Sequence, residues 1–250
     1  MLSIRLEPRK YRLESLITIR PPSGVMKPLD LNRLTNQKKN VINVSARLGN
    51  VLRWNATTSV DMTPKNILNI TNRADFRKWL AANSATEKEC WIEAKRGKMP
   101  PEDALWYLDA VEEALCFGWI DSTVKTVGGV TLQRFGSRSR KGMWTELNKE
   151  RCRRLERLGL MTEAGRAACP DLDAEFVIMP EIIAAFKANP TAWQNFMTFP
   201  ALYQRVRIDN IQRKKACKEL FDCRLQKLIE ASRRGEMIGD WHDCGRLLEY

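Results

Sequence analysis

Two hundred and fifty residues, 44% hydrophobic and with 13 glycines, are enough to bury one or two ordinary cores, which excludes disorder throughout. No run approaches the roughly 18 apolar residues a membrane-crossing helix needs, and charges fill the first 25 residues where a signal peptide would need an apolar stretch, so a cytoplasmic chain is expected. The net charge of +12 suggests an anionic partner but is uneven: residues 1–61 hold 11 Lys/Arg against 4 Asp/Glu, and the rest hold 31 against 26.

In chain order, 1–61 is a basic leader without a sustained apolar period and is expected to be a poorly ordered extension, with a natural start at Met62 as the second reading; the functional domain is then 62–250. Asn72 caps a short helix, "RADFRKWLAAN", with Asp75 completing the first turn. "ECWIEAKRG" alternates as a strand ended by Gly97. "MPPEDALWYLDAVEEALCFG" reads as the best helix, opened by proline and acids and stopped by Gly118. "WIDSTVKTVGGVTLQRF" reads as two strands joined at Gly128-Gly129. Helices follow at 145–158, after Thr162, and at 180–188, 191–198, 201–213 and 217–233. The class is α+β: a small antiparallel sheet with a Gly-Gly hairpin, flanked by helices, then a mostly helical C-terminal half.

Seven cysteines without a CxxC pair, together with the single histidine, His242, supply no zinc spacing; neither a metal nor a cofactor is expected, and the thiols read as reduced. On a helical wheel Ala104, Leu108, Val111 and Leu115 share one face, and Glu102, Asp109 and Glu113 form an acidic stripe opposite, so Glu113 is expected to be solvated. Glu112 falls at the edge of the apolar face, where a carboxylate needs a cation or donors. Cys116, at the helix C-terminus with no base beside it, reads as a small core residue. In a regular hairpin Asp121 and Arg134 are diagonal neighbours on one polar face, about 7–8 Å apart, and Ile120 shares the apolar face with Phe135. A basic loop follows (Arg138, Arg140, Lys141) and leads into a helix capped by Thr145, a combination that suits a phosphate or carboxylate. Residues 200–234 carry ten basic residues against four acidic, a solvated face or a nucleic-acid contact.

With "ALCFGWIDS", "QRF..R", "W..LN", "RLERLGLMTEAG", "FPALYQRVRIDNIQ" and "WHDCGRLLEY" in place, the chain resembles the YdeI-like, OmpD-associated family of bacteriocin-protection proteins over about 70–250. The resemblance implies a small protein tied to resistance against bacteriocins, antimicrobial peptides or envelope stress, with no established reaction. Its motif residues carry over as Gly118, Trp119, Asp121, Arg134, Phe135, Arg138, Trp144 and Asn148. The chain departs from the pattern at Ser137, where the family usually has proline, and at Gly142, where it usually has serine.

The leading expectation is a non-catalytic protection protein with a ligand site of Trp119, Asp121, Arg134, Arg138, Trp144 and Asn148. Asp121 would orient Arg134, and the ligand would be an anionic small molecule or an acidic protein segment; an envelope-related protein partner is also open. One alternative is an enzyme acting on a phosphorylated or carboxylated metabolite with Glu112 or Asp121 as general base. Another is nucleic-acid binding through helices of 200–234.

Overall fold

The computed structural model describes residues 64–139 and 142–248. The leader expectation for 1–61, and the loop residues Arg140 and Lys141, lie outside them. Helix α1 (Arg73–Asn83) begins as its sequence requires: the Asn72 side chain accepts from the Asp75 amide at 2.9 Å and returns an N–H to the Asp75 carboxylate at 2.8 Å. Phe76 and Leu80 leave its inner face and are fully buried, each contributing about 1.5–3 kcal/mol of apolar burial.

The sheet is mixed rather than antiparallel. Strands β1 (Ile67–Leu68) and β3 (Leu105–Trp106) both run parallel to β2 (Glu89–Lys95), while β5 (Val130–Ser137) lies antiparallel between β2 and β4 (Trp119–Val127). Two-residue strands have no measurable period, so the sequence could not announce β1 and β3. β3 also shortens the central helix. Pairing of Leu105 and Trp106 with Ala94 and Lys95 holds them extended, and α2 (Tyr107–Cys116) starts only after them, not at the Pro100–Pro101 pair.

Helices α3 (Glu146–Arg157) and α4 (Glu163–Ala168) follow, each capped by its threonine: Thr145 accepts from the Asn148 amide at 3.0 Å, and Thr162 from that of Gly165 at 3.2 Å. A first core packs α1, α2 and one sheet face together through Phe76, Val111, Leu115, Trp119 and Phe135, with Cys152 and Leu155 of α3 closing it. Four more helices, α5 (Pro180–Lys187), α6 (Pro190–Thr198), α7 (Ala201–Gln212) and α8 (Lys218–Arg233), lie within a residue or so of the sequence expectation. They enclose a second core around Phe186, Phe196, Tyr203 and Leu228, which the C-terminal Trp241 and Leu247 complete.

The tightest approach in the fold is between α4 and the end of α2. A Cβ on Gly165 would lie 2.2 Å from the Cys116 carbonyl oxygen, which already accepts from the Thr162 hydroxyl at 2.6 Å and the Thr162 amide at 3.1 Å. Gly165→Ala must therefore push the two backbones apart. It is expected to lower stability by about 1–3 kcal/mol in urea unfolding; wild-type stability in this variant would mean that α4 is free to move.

Candidate functional site

Glu112 and Glu113 of α2 are the most buried charges among the described residues. Asp109, Glu112 and Glu113 share one helical face by their spacing of three and four, and that face is covered by guanidinium groups. Glu112, 1% exposed, accepts from Arg154 at 2.8 Å on one oxygen and from Arg73 and Arg246, each at 2.9 Å, on the other. Glu113, also 1% exposed, takes Arg73 at 2.6 Å and Arg77 at 2.7 Å. Asp109 joins Arg73 at 3.1 Å to Arg246 at 2.6 Å. Glu112 thus has the cations its position demanded, but they come from α1, α3 and the C-terminal segment, not from the hairpin. Glu113 is not solvated: α1 lies over the side of α2 that a wheel assigns to water. With both Glu112 oxygens engaged and no path to solvent, the residue is structural, and nothing in the geometry supports it as a general base.

The hairpin departs from the regular pairing at one point. Val127 faces Val130 and Lys125 faces Leu132 as expected, but between Val124↔Gln133 and Asp121↔Phe135 the two residues Ser122 and Thr123 oppose Arg134 alone. This β-bulge shifts β4 by one residue, and a one-residue slip exchanges faces. Asp121 therefore projects with Phe135 on the core side of the sheet, Ile120 on the other with Gly136, and Arg134 on the far side from Asp121. Asp121 does not orient Arg134; it accepts from the Tyr107 hydroxyl at 2.6 Å. Arg134 instead pairs with Glu89 at 2.5 Å and reaches Ser122 at 3.3 Å. Burial works against the Glu89 charge, but the Trp91 indole N–H and Arg134 outweigh it and hold the carboxyl below its usual range. Trp119 is a core residue, 1% exposed, edge-on to Trp79 and donating to the Ser84 carbonyl at 3.2 Å.

The remaining expected residues stay together. The Arg138 guanidinium lies 3.6 Å above the Trp144 ring and donates to the Met143 carbonyl at 2.7 Å. Gly142 donates to Ser139 at 2.9 Å, and a Cβ there would meet that carbonyl at 3.0 Å, so the departure from serine accompanies a tight turn. Asn148 accepts from Arg151 at 2.7 Å, and Arg151 makes a two-pronged pair with Asp243 at 2.5 and 2.8 Å. Burial opposes the Arg151 charge, yet Asp243 overcomes it and raises the pKa, with Tyr107 and Asp121 adding to the field. Asp121 also acts on Arg138, whose pKa burial lowers. Arg96 stacks 3.4 Å over the Tyr107 ring. Sequence reading missed Tyr107, Arg151 and Asp243; only the Asn148–Arg151 spacing of three on one helix could have flagged one of them.

Asp243 is held at a cost. It and Cys244 have left-handed backbones, φ 48° and 55°, about 1–2 kcal/mol each for residues with a Cβ. His242 secures the turn by accepting from the Gly245 amide at 2.7 Å and packing edge-on to Trp241, the structural role its isolation implied.

Cys116 is fully buried, and burial with Glu113 nearby pushes its thiol up to about 12; burial and Glu89 do the same for Cys90. Neither is a nucleophile. Because both bind their protons more tightly folded than unfolded, their contribution to stability is complete below pH 9.0 and is lost as pH rises towards about 12. The urea midpoint is expected to fall across that window. At mildly alkaline pH, iodoacetamide should modify the exposed Cys217, Cys223 and Cys244 and spare Cys90 and Cys116; native labelling of Cys116 would contradict the assignment. Glu112→Gln is expected to destabilise by about 3–5 kcal/mol, as loss of one partner strands buried guanidinium charge; an unchanged melting temperature would show that the ion cluster contributes nothing.

Among the described residues no group of His, Cys, Asp and Glu is arranged to hold a metal ion, and no helix is long and apolar enough to cross a membrane. Two family models match the chain. Residues 68–168, which contain most of the first core and the "ALCFGWIDS" stretch, match a domain of unknown function, DUF8412. No curated protein and no solved structure matches. Residues 175–235 match the family described as bacteriocin-protection, YdeI or OmpD-associated, a narrower span than the 70–250 of the sequence resemblance.

Proposed function

We propose that the chain is a protection protein of the bacteriocin-resistance type that works by binding, with an anion site at Arg138 and Trp144 beside the Tyr107–Asp121 and Asn148–Arg151–Asp243 hydrogen bonds. The family match over 175–235 supports the general role. The observation that carries the site is the state of Arg138. Its guanidinium is half-buried on an indole face, its Nε is buried without an acceptor, and among the described residues no carboxylate pairs with it.

A guanidinium removed from water and left unneutralised is an unfavourable arrangement that an anion relieves. The Trp144 ring fixes the plane of the fork, so a carboxylate or phosphate oxygen can approach the half-buried guanidinium without displacing an existing ion pair. Asp121 and Asp243 are already committed to Tyr107 and Arg151 and do not compete for it. The matching ligand is a compact anion or the acidic side chain of a partner segment. The hydrogen-bonded thiols of Cys152 and Cys169 also act on Arg138, and the Cys169 pKa is lowered, first by the Cys152 hydrogen bond and then by Arg138; the Arg138–Trp144 stack itself holds charge and aromatic surface, the features of a binding site.

A thermal-shift screen of carboxylates, phosphates and acidic peptides on wild type and Arg138→Ala tests the site. The expected result is a ligand that raises the melting temperature of the wild type by a few degrees, as about 100-fold excess over Kd provides, and leaves Arg138→Ala unmoved. Equal stabilisation of both proteins would place the anion elsewhere. Arg134→Ala, which touches only the opposite side of the sheet, is expected to retain the shift.

A further inference from the structure

The basic helices α7 and α8 do not present one evenly solvated stripe. Arg205 pairs with Glu150 at 2.9 Å, Lys218 with Asp222 at 2.6 Å, and Arg233 and Arg234 with Glu230 at 2.9 and 2.8 Å. Arg207, Arg224 and Lys227 behave differently: they converge on one cavity of about 280 Å3 between the two helices. Its apolar lining is Ile211 and Leu228, with Ile238 from the segment after α8, and Asn210 lies at its edge. No acidic residue lines it.

Two of the three cations, Arg207 and Arg224, are fixed in place without being neutralised. Arg224 donates to the Asn210 carbonyl at 2.6 Å. Arg207 donates to the Ile238 carbonyl at 2.7 Å and to that of Gly239, while its Nε is buried without an acceptor. Backbone carbonyls set the direction of a guanidinium but carry no formal charge, so the surplus stays in the cavity. Burial lowers the Arg207 pKa; Tyr203 opposes that most, through its field and a hydrogen bond, and Asp240 adds a smaller field. Lys227 is exposed at the mouth and has no ion-pair partner among the described residues. An anionic head would satisfy all three, and three branched apolar side chains beneath it favour a hydrocarbon body.

We propose that this cavity binds a small single-chain amphiphile, a phosphate or carboxylate head on a short alkyl body, with Arg207, Arg224 and Lys227 on the head and Ile211, Leu228 and Ile238 around the chain. The cavity lies at the lower end of the roughly 300–1,000 Å3 of ordinary ligand sites, which suits one short chain and excludes a bulky partner element. It uses no residue of the Arg138 site, so the two readings stand or fall separately. A head of this kind can come from a soluble metabolite or from a bilayer lipid.

Isothermal titration of the full chain with octyl phosphate, for wild type, Lys227→Glu and Arg138→Ala, tests the proposal. Lys227 is exposed and unpaired, so its replacement leaves the fold intact, which a thermal melt verifies. The expected results are saturable binding to wild type and, with the Arg138 anion site removed, still to Arg138→Ala, at least tenfold weaker binding to Lys227→Glu, and at least tenfold weaker binding of inorganic phosphate and of octanol. Co-sedimentation with phosphatidylcholine vesicles containing phosphatidic acid, lost in Lys227→Glu, would assign the head to a bilayer; octyl phosphate binding without it would assign a soluble ligand. Absence of both kinds of binding overturns the proposal. So does octyl phosphate affinity that inorganic phosphate equals, or that survives Lys227→Glu. Steeply salt-dependent oligonucleotide binding in place of amphiphile binding would equally overturn it, in favour of a nucleic-acid face.

Discussion

Among the described residues, the helices of the first core are arranged around two adjacent carboxylates that have no access to water. Glu112 and Glu113 lie one after the other on α2, each 1% exposed, and no cluster of apolar side chains could accommodate them unpaired. Four arginines answer three carboxylates there when Asp109 is included, leaving one positive charge in excess. These arginines come from α1, α3 and the C-terminal segment. The ion cluster therefore does what a purely apolar core does not: it fixes which helices meet α2 and in what register, because a guanidinium fork tolerates little displacement.

The C-terminal segment 241–247 shows how that constraint reaches the second core. Trp241 and Leu247 pack among α5 to α8, while between them Asp243 holds the nearly buried Arg151 of α3 and Arg246 holds Asp109 and Glu112 of α2. Arg246 also lies 4.3 Å over Trp106, the last residue of β3. Seven residues thus contact both cores, and two of them adopt a left-handed backbone to do so. Such strain persists only where the surroundings over-determine it, and here the surroundings are a bidentate ion pair on one side and an aromatic cluster on the other.

Against this paired background the unpaired cations stand out. Arg138 on Trp144, and Arg207 with Arg224 and Lys227 around an apolar cavity, are the places where positive charge is positioned but not neutralised. The first falls after the segment matched to DUF8412 begins and before it ends, the second almost wholly within the bacteriocin-protection match. Many other arginines among the described residues are held in ion pairs, and the two sites differ in kind: one offers a flat aromatic ledge, the other a hydrocarbon-lined pit.

Much of the local structure was legible in the residues themselves. Asn72, Thr145 and Thr162 cap helices because their side chains accept from amides two or three residues on, and Gly128-Gly129 turns the hairpin because both positions need positive φ, 57° and 86°. The α+β class, the helices of the second half, the core placement of Cys116 and a likeness to the bacteriocin-protection family, matched over 175–235, followed from signals of this short range. Neighbours distant in the chain decided the rest. A single extra residue in β4 sent Asp121 and Arg134 to opposite faces, and no local pattern marks where a bulge will fall. Glu113 sits on what a wheel calls the solvent side of α2, but a wheel knows only one helix. Whether that side meets water or Arg73 and Arg77 depends on where α1 docks, and docking is set by the summed burial and charge pairing of segments 36 to 40 residues apart.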